Sequence, residues 1–413
     1  METKKIPYDF ETIRKLFNDL NKDKNHFNNS NDICTPMECV KEMFDSVPEE
    51  FWQRKNIKIL DSCCGNGNFH AYAVTKTNLE NLYFNEINEK RIKNLKNYFG
   101  EKINFTNKNF LEFEDKEEFD MVVSNPPYAK FNGEKRVSKN HNLSRAFIQK
   151  AINITKYNGY ILFIVPNNWM SFSDRNKLPE ILSQYQFIHL DINGAKKWFP
   201  TVGSSFTWFL LHKVKNEKPV KIINNYVIKD VQEAFIDQNA KYIPLYYNEL
   251  VRNIFNKTVN NTTLPKYKIE TSSNLHKYTK SKHLVNVKND LHPYKLWHTP
   301  SQVVWSDIPH KFQKGYKVYL SLTNQYGTFI DNNTGMTQSI AFIRCKTKNE
   351  ADKINRELNN DIYIFINNLT RYGNFNNIRI LQNLPILGTF TLTTEEINFI
   401  KEFNKKYYGK NKK

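Results

Sequence analysis

Long apolar runs are missing from this 413-residue sequence. The longest, Ile161–Val165 and Phe206–Leu211, fall far short of the ~18 residues a membrane span needs. The opening Met-Glu-Thr-Lys-Lys-Ile-Pro carries no apolar h-region, so no secretory leader is expected. Cysteine is scarce. Cys34, Cys39, Cys63, Cys64 and Cys345 are too few for a disulfide framework, and their spacing matches no zinc pattern. Neither a disulfide scaffold nor a bound metal is expected. These absences point to an intracellular, cytoplasmic protein without a membrane anchor. Acidic residues are also under-represented, with 42 Asp and Glu against 60 Lys and Arg and a formal net charge of +18.

What is present argues for folded cores. Hydrophobic residues make up 39% and aromatics 14%, including 30 Phe and 22 Tyr, so general disorder is excluded. The length fits two or three domains. The charge is unevenly placed. Residues 1–200 hold 29 basic and 26 acidic side chains, whereas residues 201–413 hold 31 and 16. A basic half beside a nearly neutral one suggests a polyanionic partner, nucleic acid first. Lys-rich and Asn-rich composition throughout is the competing explanation.

From residue 57 to 212 short β-type runs alternate with helical stretches. Strands are expected at Ile57–Leu60, Asn81–Asn85, Ile103–Thr106, Asp120–Ser124, Tyr160–Val165, Phe187–Asp191 and Ser205–His212. Helices are expected near 68–78, 88–98, 143–157 and 174–185. Such alternation implies a parallel, doubly wound α/β sheet. Ligands of these sheets bind beyond the carboxyl ends of the strands, which directs attention to Asp61, Glu86, Asn109 and Asn125. Ahead of the first strand, Thr35-Pro-Met-Glu38 reads as a helix start, with Thr35 as N-cap and Glu38 completing a capping box. The rhythm stops after 213, and Lys213–Pro219 reads as a linker or hairpin. Residues 220–413 mix short aromatic-rich strands with one helix over 349–368. The last ten residues read as frayed and solvated. The boundaries expected are 1–212 for a first domain, with 1–32 a helical extension, and 220–413 for a second.

Two segments carry chemistry. Asp61-Ser-Cys-Cys-Gly65-Asn-Gly67-Asn-Phe69 follows a strand and opens a helix. Its glycines let the backbone approach a ligand, and the helix start offers N–H groups. His70 stands where a dinucleotide fingerprint has its third glycine, so a pyrophosphate is disfavoured. Glu86, 25 residues after Asp61, can accept from both hydroxyls of a ribose. Together these suggest a nucleoside cofactor without a pyrophosphate. Ser124-Asn125-Pro126-Pro127-Tyr128 is the stronger signal. Two prolines stiffen a loop rich in acceptors. The Asn125 amide oxygen and the Pro126 carbonyl can converge on one amino group, and Tyr128 offers a π-face to a flat base. Positioning then lowers the barrier without a metal or strong base.

Asn125-Pro-Pro-Tyr128 after Asp61-x-x-Cys-Gly-x-Gly-x-Phe69 resembles the amino-group methyltransferases. The motif order, Thr35-Pro36 first and the basic region last, is similar to N6-adenine DNA methyltransferases of the gamma class. Leu143–Ile148, Gly159–Pro166 and Phe199-Pro-x-Val202 add to the likeness. The resemblance covers 33–212 well and the C-terminal region by order and length. It implies a Rossmann-like S-adenosylmethionine-dependent methyltransferase domain with a mixed, mostly parallel seven-stranded sheet, followed by an α+β target-recognition domain. It further implies that Thr35, Asp61, Cys63, Gly65, Gly67, Phe69, Glu86, Asn109 and Phe110 surround S-adenosylmethionine. Asn109 stands where the family usually has Asp. Asn125, Pro126, Pro127 and Tyr128 are the implied catalytic loop. Tyr128 and Phe199 would stack on the target base, with Phe206 the alternative to Phe199. A base inside a duplex cannot reach such a loop, so base flipping is implied.

The partner expected is double-stranded DNA, met by a monomer, with any cognate restriction endonuclease acting separately. In the basic half Lys280, Lys282, Gln325, Arg371 and Asn374 are candidate contacts, the first two for phosphates and the others for base edges. Three other readings compete. An RNA adenine or protein-glutamine methyltransferase would keep the chemistry and change the substrate. A non-catalytic DNA-binding specificity subunit would leave both intact motifs without a purpose. A nuclease on the same chain lacks its Pro-Asp…Asp/Glu-x-Lys signature. Cys63 and Cys64 are expected to be packing residues of the turn rather than nucleophiles.

Overall fold

The computed structural model describes residues 9–22, 34–128, 131–132, 135–136, 142–200, 205–323 and 325–410. It divides into two compact units.

The first unit runs through Met170 and resumes at Asn176–Tyr242. Strands β1 (Ile59–Asp61), β2 (Leu82–Asn85), β3 (Asn104–Thr106) and β4 (Phe119–Ser124) lie parallel. A small hairpin, β5 (Phe131–Asn132) with β6 (Lys135–Arg136), stands apart from the main sheet. The sheet continues with β7 (Thr155–Pro166) parallel to β4, then β9 (Phe206–Lys215) antiparallel between β7 and β8 (Tyr185–Ile192). Two further strands, β10 (Val220–Asn225) and β11 (Lys229–Ala234), complete the order β3-β2-β1-β4-β7-β9-β8-β10-β11. Parallel strands covered on both faces require near-continuous apolar runs. β1 and the Met121–Ser124 stretch of β4 are buried throughout, as that requires.

The expected seven strands are therefore nine. β9 continues through Lys215, and Val220 and Ile222 are fully buried as β10 pairs in parallel with β8. The first unit accordingly ends near 242 rather than 212. At its start, α1 (Phe10–Leu20) is part of the core rather than an extension. Ile13 and Phe17 are fully buried, and the Phe17 ring lies 5.9 Å from Tyr98.

Helix α2 (Met37–Phe44) begins at the Thr35-Pro36 signature, but not by the expected capping. Pro36 occupies the cap position, with no side-chain hydrogen bond to the helix. The short α3 (Glu49–Trp52) leads into β1, and α4 (Asn68–Ala73) leaves it through the glycine turn. His70, in place of the third glycine, is fully buried and places Nε2 2.8 Å from the Tyr83 carbonyl of β2. That contact fills the helix–sheet space a glycine would have left open. Helix α5 (Glu89–Phe99) follows β2, capped by Asn88. α6 (Asn142–Ile154) precedes β7, and α7 (Leu178–Leu182) precedes β8.

The second unit comprises Ser171–Arg175 and Ile243–Lys413. It contains two four-stranded sheets, one built on Tyr316–Ser321 and Ile340–Cys345, the other on Tyr294–Thr299 and Gln302–Ser306. The helix expected over 349–368 is two helices, α9 (Lys348–Leu358) and α10 (Asp361–Leu369), with α8 (Glu249–Lys257) earlier in the unit. Asn360 makes the break by capping the second with its own side chain, 3.2 Å from the Ile362 N–H. The C-terminus is ordered as helix through Lys410 and buries Phe403, Asn404 and Tyr407. Only residues 411–413 of the expected frayed tail lie outside the described residues. Among the described residues, no helix is long and apolar enough to cross a membrane.

Candidate active site

The carboxyl ends of β1, β2 and β4 meet at one edge of the first unit. Asp61 closes β1 and is fully buried. Its Oδ1 accepts from the Cys63 N–H at 3.4 Å, and its Oδ2 has no partner among the described residues. Burial pushes this carboxyl well above the usual carboxylate range. The Glu86 charge adds to the shift, and the Cys63 N–H opposes it. The raised value means folding favours the protonated form. Its stabilising contribution is complete below the ordinary carboxylate pKa and is lost as pH rises through the raised one. The ligand-free protein should therefore lose stability with rising pH more steeply than Asp61→Asn. Parallel slopes in denaturant titrations across pH would remove Asp61 from that account.

The turn after Asp61 depends on its glycines. Gly65 and Gly67 adopt φ of +56° and +87°, a region costly for residues with a Cβ. A Cβ on Gly67 would stand 2.7 Å from both Leu95 and Phe99. The Gly65 N–H donates to Glu86 Oε2 at 2.8 Å, and the Asn88 N–H donates to Oε1 at 2.8 Å. Glu86 is thus fixed at the end of β2 beside the turn, 6% exposed. Burial pushes the Cys63 and Cys64 thiols well up, which disfavours the thiolate of both.

A cavity of about 270 Å³ opens at these strand ends. Four of the expected cofactor residues line it: Cys63, Glu86, Asn109 and Phe110. Asn109 also caps the following turn, its Oδ1 accepting from the Leu111 N–H at 3.2 Å. One lone pair of that oxygen is therefore engaged. Phe69 is not in the wall. It is 3% exposed and packs 6.0 Å from Phe44 in the core. Pro127 of the expected catalytic loop also lines it, and sequence reasoning missed the rest of the wall, Ser62, Asn85, Ile87, Lys108, Leu111, Leu143 and Phe147. Ile87 is 63% exposed directly after Glu86 and just before Asn88, the cap of α5. Leu143 and Phe147 are one helical turn apart on α6, a spacing that places both on one face. The Phe147 ring lies 5.2 Å from Phe110.

The Asn125 loop follows β4. Asn125 Nδ2 donates to the Thr35 hydroxyl at 3.0 Å, and the Tyr128 hydroxyl donates to Asn125 Oδ1 at 2.6 Å. The expectation that Oδ1 simply faces the site is thus modified, since Tyr128 caps it. The Tyr128 ring is half-buried, 5.7 Å from Phe206. Phe199 lies behind, 3% exposed and 5.1 Å from Phe206. Of the two candidates for a second stacking face, Phe206 is the one against Tyr128, and both belong to the core. Val202 of the Phe-Pro-x-Val segment lies outside the described residues.

In the second unit the loop over Arg371–Asn374 meets the segment that leads into Gln325, both candidates for base edges. Arg371 donates to the Thr323 carbonyl at 3.2 Å and to the Asn374 carbonyl at 3.0 Å. Through Nη2 it braces the two loops against each other. Gln325, Asn374, Lys280 and Lys282 are exposed. Lys317, within the basic run 311–317, is fully buried, and its Nζ donates to the carbonyls of Gln313, Lys314 and Gly315. It cannot track phosphates. Among the described residues, no group of three His, Cys, Asp or Glu could hold a metal ion.

A mostly parallel sheet in which β9 runs antiparallel between β7 and β8, with a glycine turn after β1 and an acid after β2, has the class I methyltransferase fold. Residues 52–199, which hold most of this sheet, match the family model of the Eco57I restriction-modification methylase. The type II methyltransferase M.HincII of Haemophilus influenzae is 26% identical over 233 residues, 51% of this chain and 43% of that enzyme. M.HindII of Haemophilus influenzae strain Rd is likewise 26% identical over 233 residues, 51% of this chain and 42% of that enzyme. The chain thus spans less than half the length of these relatives. Among solved structures, a nuclease-deletion mutant of the type ISP restriction-modification enzyme LlaGI, in complex with a DNA substrate mimic, superposes with a TM-score of 0.56. It is 13% identical, with 96% of this chain and 56% of that one covered. LlaBIII, of the same type and bound to DNA, gives 0.51 at 12% identity, with 96% and 41% covered.

Proposed function

We propose that this chain is a site-specific DNA methyltransferase that transfers a methyl group from S-adenosylmethionine to adenine N6 in flipped-out duplex DNA. The observation that carries the reading is the Asn125 amide, held at the end of β4 between Thr35 and Tyr128, in a loop whose Pro127 lines the cavity. The match to a restriction-modification methylase family over 52–199 supports it.

The residues present fit S-adenosylmethionine. The orphaned Asp61 Oδ2 and the neighbouring Glu86 suit a cationic ligand. The Gly65–Gly67 turn admits close backbone approach, and the Phe110–Phe147 wall with exposed Ile87 suits a purine ring. When bound, S-adenosylmethionine supplies an electrophilic methyl group on positively charged sulfur. Asn125 Oδ1 and the Pro126 carbonyl accept the two amino hydrogens, which steers the nitrogen lone pair out of the base plane. The proton lost by that nitrogen passes to solvent, and fixed acceptors here replace a general base. The basic second unit grips the duplex and selects the site through Lys280, Lys282, Gln325 and Asn374, on loops braced by Arg371. The protein acts as a monomer in restriction-modification or phage-type DNA modification, apart from any endonuclease.

Methyl-labelled S-adenosylmethionine should label duplex DNA at adenine, read by nucleoside analysis. Label confined to RNA, protein or cytosine would overturn the assignment. Tyr128→Ala should slow turnover about 5- to 150-fold, the equivalent of roughly 1–3 kcal/mol of lost stacking. Tyr128→Phe keeps the ring and uncaps Asn125, so it should lower KM for DNA several-fold with kcat little changed. A rise in KM would show that the hydroxyl helps rather than competes.

A further inference from the structure

The Thr35-Pro36 signature is explained by neither a helix cap nor a cavity wall. The Thr35 hydroxyl makes no bond to α2, and Thr35 is absent from the lining of the cavity. It is 4% exposed and lies between two other elements. Its carbonyl accepts from Asn68 Nδ2 at 2.7 Å, at the start of α4, and its hydroxyl accepts from Asn125 Nδ2 at 3.0 Å.

The distances around Asn125 favour one orientation of its amide. The 2.6 Å contact to the Tyr128 hydroxyl is short for N–H···O but ordinary for O–H···O. The 3.0 Å contact to Thr35 is ordinary for N–H···O. The nitrogen therefore lies toward Thr35 and the oxygen toward Tyr128. Reversed, the amide would present a donor to an incoming amino group, itself a donor, and the two would repel.

We infer that Thr35 is a positioning residue, whose hydroxyl holds the Asn125 amide with its oxygen toward the substrate amino group, while its backbone ties that amide to the cofactor turn. The inference rests on the proposed amino-group methyl transfer. It assigns Thr35 to the substrate side of the reaction, although the motif resemblance places it at the cofactor.

Thr35→Val keeps the shape and removes the hydroxyl, and Thr35→Ser keeps the hydroxyl. In full-length protein, Thr35→Val should lower the single-turnover rate on duplex DNA at least tenfold. Its S-adenosylmethionine Kd by calorimetry should stay within about threefold of wild type. Thr35→Ser should recover most of the lost rate. The Asn125 side-chain amide protons, assigned in ¹⁵N spectra by their loss in Asn125→Ala, should move toward free-amide shifts in Thr35→Val but not in Thr35→Ser. A parallel loss of cofactor binding and rate in Thr35→Val would overturn the inference in favour of direct cofactor contact. So would an unchanged rate or an unchanged amide signal. Wild-type protein that binds S-adenosylmethionine yet methylates no DNA would instead overturn the underlying function, whatever the amide spectra show.

Discussion

Asn125→Ala should reduce methyl transfer to DNA by on the order of 10³-fold or more, with S-adenosylmethionine binding retained. Removing one preorganised polar group that acts on the reacting atoms commonly costs 10²–10³ in rate. Here the substitution also strands the hydroxyls of Thr35 and Tyr128, both of which address this amide. The Asn125 side chain is not among the groups around the cavity, so the cofactor Kd should stay within a few-fold. Single-turnover labelling and calorimetry read the two effects separately. Substantial residual transfer would mean that another acceptor carries the chemistry.

Gly67→Ala should be among the most destabilising single-methyl changes in the first unit. The residue caps α4 in the left-handed region at φ +87°, and the added Cβ would meet Leu95 and Phe99 at 2.7 Å. Left-handed strain costs roughly 1–2 kcal/mol, and overpacking a core adds roughly 1–3 kcal/mol. A loss of about 3 kcal/mol lowers Tm by roughly 6–12 °C at 2–4 °C per kcal/mol. Thermal unfolding followed by circular dichroism would show it. A change under about 2 °C would mean that α5 shifts away at little cost.

The strand ends were legible because buried parallel strands leave continuous apolar runs. Ile59–Asp61 and Phe119–Ser124 lie within a residue or two of where such runs place them. Glu86 and Phe110 follow from those ends and line the cavity. Thr35 misled local reasoning. A Thr three residues before Glu satisfies every rule for a capping box, and nothing nearby reveals an asparagine 90 residues away. β10 was hidden because the short run Val220–Ile223, interrupted by Lys221, follows directly on Lys213–Pro219, which reads as a linker. The C-terminal helix was hidden the same way, since its lysines mask the inward Phe403 and Tyr407. The break at Asn360 was invisible to periodicity, because apolar spacing continues across it while the side chain caps a new helix.

The capped amide has a consequence for fidelity. With the Tyr128 hydroxyl already on one lone pair of Asn125 Oδ1, a base entering the proposed site would share that oxygen or exchange one hydrogen bond for another. Adenine carries an amino group and can complete the exchange. Thymine presents a carbonyl at the equivalent edge, so it gains nothing and leaves the tyrosine in place. The resting contact thus works as a toll on entry, returned only to bases that bring a donor. In the proposed reaction, errors would be rejected before the methyl group is committed, by the same tyrosine proposed to stack on the accepted base.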